Sequence, residues 1–234
     1  MNPVSDINTF TFHRPPPFVD VTGSDAKFAV RRILCVGRNY AEHAREMGGD
    51  PQKEPPFFFT KPADAIVASG SDVSYPPRTA SFHHEVELVV AIGRAGADIS
   101  TIDALRYVFG YAVGNDLTRR DLQNDAKLSG RPWDMAKGFD QSACISEIRS
   151  AEDIGHPSRG RIWLSVNGAI RQDDDLSSLI WPIPNVIAEL STFVTLQPGD
   201  LIYSGTPAGV GPLKRGDRID AGIDKVGTLS NLVV

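Results

Sequence analysis

Cysteine is scarce in this chain: of 234 residues only Cys35 and Cys144 carry a thiol. They lie far apart in apolar surroundings, and neither has a His–acid arrangement beside it. A reduced protein without a cysteine nucleophile is the simplest reading. Positive charge is also in short supply, with 24 Lys and Arg against 29 Asp and Glu. No basic stripe is left to hold nucleic acid. No apolar run reaches membrane-spanning length, and the N-terminus lacks the charged-then-apolar layout of a secretion signal. The expectation is therefore a cytoplasmic protein with no membrane partner. Repeats and low-complexity tracts are missing too. What remains is a chain of ordinary globular composition, long enough to bury a sizeable core in one large domain.

The pattern along the chain is that of many short strands. Residues up to about 26 read as an arm or a short antiparallel piece, with Phe10, Phe12, Val19 and Val21 alternating around Pro15-Pro16-Pro17. A strand is expected over 28–36, then a turn whose Asn39 can cap a short helix over 40–47. Residues 53–56 are polar and proline-bearing, and residues 57–59, three phenylalanines, read as another buried strand. A helix over 102–109 would feed a strand over 110–115, and 120–129 reads as helical. Further strands are expected over 162–167, 201–204 and 218–221. Residues 184–193 form an amphipathic helix pattern with Val186, Ile187, Leu190 and Phe193 on one face. Few helices among many strands and turns point to a β-rich α+β fold.

The chemistry concentrates in a few places. Glu85 and Glu87 stand two apart in His84-Glu85-Val86-Glu87-Leu88-Val89-Val90, so in a strand they project to the same face. Two unpaired carboxylates side by side resist burial, and a divalent cation resolves both the repulsion and the desolvation. Asp116 supplies a third acid, and three carboxylates with water suit Mg2+, Mn2+ or Ca2+. The competing reading is a half-exposed strand with two solvated glutamates. His43 and Glu46 are three apart on the expected short helix, a spacing that can orient an imidazole as a general base or can be fortuitous on a surface helix. Arg120 and Gln123 are likewise three apart. Arg120 could clamp a substrate carboxylate or simply pair with Asp121 or Asp125. Lys137 could be a second cation for an anionic substrate or a solvated side chain. Gly205-Thr206-Pro207-Ala208-Gly209-Val210-Gly211 is not a phosphate loop. Its Thr206 hydroxyl and backbone N–H groups could cradle an oxyanion, or the segment could be a tight connection.

A set of segments in a fixed order resembles the fumarylacetoacetate hydrolase family. They are Cys35-Val36-Gly37-Arg38-Asn39-Tyr40, Lys61-Pro62, His84-Glu85-Val86-Glu87-Leu88, Gly110-Tyr111-Ala112-Val113-Gly114-Asn115-Asp116, Arg120-Asp121-Leu122-Gln123, Ala136-Lys137-Gly138-Phe139-Asp140, Val166-Asn167-Gly168 and Gln197-Pro198-Gly199-Asp200 through Gly205-Thr206-Pro207. Any one is weak, but together they run over nearly everything from Arg31 onward. Arg31 through Gly48, Glu54-Pro55-Pro56-Phe57-Phe58-Phe59 and Gly130-Arg131-Pro132-Trp133 look most like the subgroup of fumarylpyruvate hydrolases of the gentisate pathway.

The resemblance implies a mixed β-sandwich roll over residues 31–234 behind an N-terminal arm at 1–30, and a homodimer. It implies metal ligands at Glu85, Glu87 and Asp116, a catalytic His43–Glu46 dyad, and substrate binding by Arg120, Gln123, Lys137 and Thr206. The activity implied is metal-dependent hydrolysis of the C–C bond of a 2,4-diketo acid, foremost 3-fumarylpyruvate to fumarate and pyruvate. Oxaloacetate decarboxylation and isomerisation of 2-hydroxyhepta-2,4-diene-1,7-dioate are alternatives on the same scaffold. A non-catalytic metabolite-binding member is an alternative of another kind. A mobile lid is expected where the dyad helix meets the loop at 53–56.

Overall fold

The computed structural model describes residues 15–46 and 56–234. Phe10, Phe12, Met47 and most of the expected lid loop lie outside the described residues. The framework is a mixed sheet. Along it run Phe57–Lys61, Arg32–Gly37, Asp200–Tyr203, Val86–Ile92, Val108–Asp116, Ala143–Ile145 and Ile66–Ala68, and Arg149–Ser150 also pairs with Val108–Asp116. Arg32–Gly37 runs parallel to Asp200–Tyr203, and Ala143–Ile145 parallel to Ile66–Ala68; the other pairings are antiparallel. A second, five-stranded antiparallel-rich sheet contains Ala169–Asp175, Arg161–Val166, Arg218–Ile223, Gly227–Val233 and Asp72–Val73. The expected β-rich roll is what the chain forms.

The central strand Val86–Ile92 is buried along its whole length, as its unbroken, β-branched apolar run requires of a strand covered on both faces. Its even-numbered residues Val86, Leu88, Val90 and Ile92 pack with Ile162, Leu164, Ile219 and Leu229 of the second sheet. Val89 and Ala91 face the other way, into a second core with Cys35, Ala112, Leu201 and Tyr203. Strand alternation therefore puts Glu87 on the face of Val89, and Asp116 on the face of Ala112. The acids project from the same side of two paired neighbours, at one end of the sheet.

Four local expectations need correction. The strand expected over 28–36 is two strands in different sheets: Lys27–Ala29 pairs with Phe18–Asp20, and Arg32–Gly37 enters the central sheet. Between them the Arg31 N–H donates to the Gly199 carbonyl, and Arg31 and Arg32 clamp the buried Asp200 carboxylate at 2.9–3.0 Å. The helix expected over 102–109 is a single 3-10 turn, Ala104–Tyr107, because Val108 and Phe109 already belong to the Val108–Asp116 strand. Ile102, the first residue of that expected helix, is 90% exposed. The helix Ile183–Phe193 buries Val186, Ile187 and Leu190 as expected, but Phe193 points largely to solvent. The strand Phe57–Lys61 lies at the sheet edge, so its three phenylalanines are only half-buried.

Gly114 lies opposite Glu87 in the sheet, and a Cβ there would come within 2.4 Å of Val89 and 2.6 Å of Tyr203. Gly114→Ala is expected to destabilise the protein by about 1–3 kcal/mol through overpacking. Thermal or denaturant unfolding checks this, and an unchanged melting temperature would show that the sheet yields at this point.

Candidate metal centre and active site

Glu85 sits at the junction of Phe82–His84 and Val86–Ile92. Its backbone is pinned on both sides: the Glu85 N–H donates to Asn115 Oδ1 at 2.8 Å, and its carbonyl accepts the Asp116 N–H at 2.8 Å. Those two bonds tie the first acid to the strand that carries the third. Glu87 is set by register with Gly114, and Gly205 N–H donates to Glu87 Oε2 at 2.8 Å. Gly205 is held at φ +101°, and a Cβ would lie 2.6 Å from that of Asn39. Only glycine brings this N–H so close. The turn that could have cradled an oxyanion thus holds a carboxylate of the protein itself.

The result is a cluster in which one oxygen each of Glu85, Glu87 and Asp116 lies within 4.8 Å of the others. All three residues are buried, with Glu85 4% exposed, so the reading of solvated glutamates on a half-exposed strand is wrong. Lys137 is buried as well, which removes the reading of a solvated side chain and leaves that of a cation in the site. Its Nζ lies 2.7 Å from both Glu85 Oε2 and Asp116 Oδ2. Arg120 pairs with Glu85 rather than with Asp121 or Asp125, and its Nη1 donates to Gln123 Oε1 at 2.5 Å. Asp121 instead accepts from the Thr79 hydroxyl and the Ala80 N–H.

The cations are distributed unevenly. Burial would raise the Glu85 pKa, but Lys137, Arg120 and His43 outweigh it and hold the carboxyl well below the usual range. Among the described residues no ammonium or guanidinium is within ion-pair distance of Glu87. Burial, then the charges of Asp116 and Glu85, push its pKa well above the usual range. A buried carboxylate facing two others, with one N–H for support, is a donor set short of a cation. Hard oxygen ligands of this kind fit a divalent ion such as Mg2+ or Mn2+.

His43 is buried and lines the same narrow cavity as the three acids, Arg120, Gln123, Lys137 and Thr206. The side chain of Glu46, its expected partner, lies outside the described residues. About 20 Å³ is open among these groups, room for roughly one water. Thr206 Oγ1 accepts a hydrogen bond from Gln172 Nε2 at 2.7 Å, which leaves its own O–H free to donate elsewhere. Two N–H groups of Lys137 are used by carboxylates, and Arg120 Nε is buried without an acceptor. Each of the three thus keeps a donor in reserve.

Several supporting residues escaped the sequence reading. Lys61 is fully buried under Asp116, 2.7 Å from Oδ1, and its Nζ donates to the carbonyls of Leu117 and Lys137. Gln172 reaches in from the second sheet and bonds Val86 N–H, His84 Nδ1, Thr206 and the Pro207 carbonyl. Asn39 bridges Trp181 and the Ser204 carbonyl. Lys61 carries a signal as part of the Lys61-Pro62 segment, and Asn39 as part of the Cys35 to Tyr40 segment and as an expected helix cap, but neither is marked as a support of the site; Gln172 carries no signal.

Residues 32–234 match the fumarylacetoacetate hydrolase C-terminal domain. The chain belongs to that family. Family likeness extends to the whole framework. A fumarylpyruvate hydrolase from Pseudomonas aeruginosa, solved with Mn2+ and pyruvate, is 49% identical, with a TM-score of 0.94 over 97% of this chain and 99% of that one. The mitochondrial oxaloacetate tautomerase FAHD1 of Mus musculus is 46% identical over 196 residues, 84% of this chain and 88% of its own length. A Ralstonia fumarylpyruvate hydrolase is 44% identical over 181 residues, 77% of this chain and 94% of its own. Among the described residues no helix is long and apolar enough to cross a membrane.

Glu87→Gln is expected to abolish the rise in melting temperature that Mn2+ gives the wild type. An equal rise in both proteins would place the ion elsewhere. The metal-free proteins should also differ with pH. Glu87 keeps its proton above the ordinary value of 4.5, so the folded state binds more protons than the unfolded chain from there up to the raised value. Wild-type stability relative to Glu87→Gln should therefore fall as pH rises above 4.5 in the absence of metal. Metal should reverse that difference by expelling the proton.

Proposed function

We propose that the protein is a divalent-metal-dependent hydrolase of acylpyruvates, acting foremost on 3-fumarylpyruvate to give fumarate and pyruvate. The observation that carries this reading is one cavity lined by three buried carboxylates, a buried imidazole and reserve donors on Arg120, Lys137 and Thr206. The Pseudomonas aeruginosa structure supports the substrate class, since pyruvate is the product this reaction would leave. The reading includes a role in aromatic-compound catabolism through gentisate, and a cytoplasmic homodimer.

In this reading Glu85, Glu87 and Asp116 hold the cation, which when bound supplies Lewis-acid polarisation to the 1,3-dicarbonyl oxygens. His43 takes a proton from water, and hydroxide adds to the carbonyl on the fumaryl side. The C–C bond to the pyruvyl methylene then breaks. Pyruvate leaves as its enolate, and the proton that His43 took from water is returned to that carbon, which restores the neutral imidazole. Arg120 and Lys137 orient the pyruvyl carboxylate and offset the charge developing beside it, and Thr206 donates to an adjacent oxygen. Glu46 is assigned the role of orienting His43, as the family resemblance implies. The pairs already made by Arg120 and Lys137 with Glu85 keep both cations in place before substrate arrives.

The second reading is oxaloacetate tautomerisation, favoured by the 46% identity to the mouse enzyme. It needs proton transfer at carbon but no hydrolytic water. Fumarylpyruvate cleavage and oxaloacetate tautomerisation, followed side by side by ultraviolet absorbance, separate the two. His43→Ala should retain the Mn2+-dependent thermal shift and lose roughly a hundred- to ten-thousand-fold in fumarylpyruvate turnover, the usual contribution of a general base. Unaltered turnover would remove His43 from that role. Rapid oxaloacetate tautomerisation without fumarylpyruvate cleavage by the wild type would favour the second reading.

A further inference from the structure

The helix Arg120–Leu128 carries a stripe that goes past the residues used above. Arg120, Gln123 and Lys127 are spaced three and four apart and share one face. All three line the cavity of the three acids. Lys127 lies two turns beyond Arg120, about 10 Å along the axis, comparable with the length of an extended seven-carbon diacid. Its Nζ sits 5.2 Å from the centre of the Trp133 ring. Among the described residues no carboxylate lies within ion-pair distance of it. Half-burial, with Arg120 and Arg38 nearby, depresses its pKa to about 8, the setting of a cation whose anion has yet to arrive.

Trp133 is also a wall of the way out. Phe57 stands edge-on to it at 5.0 Å and Phe59 is tilted against it at 5.9 Å. These three rings, with Arg38 and Lys137, line both the inner cavity and a wider groove of about 630 Å³ that adjoins it. Arg131 adds a further positive charge to that groove, and Asp134 is the acid among its lining residues. Lys127 lines the inner cavity and not the groove, so a flat, conjugated acyl chain lying along these aromatic faces would reach, before it leaves the inner cavity, an ammonium that no carboxylate among the described residues compensates.

We propose that Lys127, backed by the Trp133 ring, forms a second anion subsite that selects acylpyruvates whose acyl tail ends in a carboxylate. This rests on the acylpyruvate reading and deepens it. The inner donors read the pyruvyl end, which every such substrate shares, and Lys127 reads the far end, which only a diacid has. The aromatic walls favour a planar tail and exclude water around the ammonium, which strengthens its pairing with the distal carboxylate.

The test compares fumarylpyruvate with acetylpyruvate, which has the same head and a methyl tail, on the Mn2+-loaded wild type, Lys127→Met and Lys127→Arg. The ratio of kcat/KM for the diacid to that for acetylpyruvate should fall roughly ten- to hundredfold in Lys127→Met, the cost of a lost charged hydrogen bond. The fall should lie mainly in KM, and Lys127→Arg should recover most of it. An unchanged ratio, or equal losses on both substrates, would overturn the subsite. Calorimetric binding of fumarate and of crotonate, its one-carboxylate counterpart, keeps the test independent of turnover. Wild type should prefer fumarate and Lys127→Met should lose that preference. If neither acylpyruvate is cleaved, the proposed hydrolysis has failed, and the binding preference alone then decides for or against the subsite.

Discussion

Three buried carboxylates at one end of the central β-sheet are the constraint around which this part of the molecule is arranged. Glu85, Glu87 and Asp116 cannot all be charged and buried unless positive charge is placed among them. Lys137 bridges Glu85 and Asp116, Lys61 supports Asp116 from beneath, and Arg120 pairs with Glu85. Formally these three cations cancel the three acids. They crowd toward Glu85 and Asp116, however, and leave Glu87 as the weakly compensated member. A divalent ion beside Glu87 would then turn a neutral cluster into one of net charge about +2. A dianionic substrate is the partner that such a charge calls for, and the ammonium of Lys127, without a carboxylate partner among the described residues, has the same sign of demand.

The backbone makes this arrangement stiff. Two hydrogen bonds join Glu85 to Asn115 and Asp116, so the acids on neighbouring strands cannot drift apart without breaking the sheet. The Gly205 turn closes on Glu87 from a third strand, and Gln172 ties that turn to Val86 through a single side-chain amide. Cores on both faces of Val86–Ile92 hold the frame. A site fixed on strands in this way has little reorganisation left to do when charge develops in a reaction.

The acid cluster was legible in the sequence because strand alternation is local: two residues of spacing and an apolar run were enough to put Glu85 and Glu87 on one face. Arg120 and Gln123 were legible for the same reason on a helix. Lys137 was legible as a candidate cation, but its bridge between Glu85 and Asp116 was not, nor was the part played by Lys61, since a buried, bridging lysine has no local signature that separates it from a solvated one. Gln172 was invisible because its partners, Val86 and Thr206, are far away in sequence and meet it only when the two sheets pack. The misread segments share a cause as well. Residues 102–109 and 28–36 have plausible local periodicity. Tertiary pairing decided otherwise, through Val108 joining the strand beside Ile92 and Arg31 docking on Gly199.

The central claim is that the cluster is a divalent-metal site and not merely a buried ion-pair network. Anomalous diffraction at the manganese edge, from crystals grown with Mn2+, tests it most directly. The account predicts one strong peak within bonding distance of an oxygen from each of Glu85, Glu87 and Asp116. No peak at that position, with Lys137 still bridging Glu85 and Asp116 at saturating Mn2+, would contradict it.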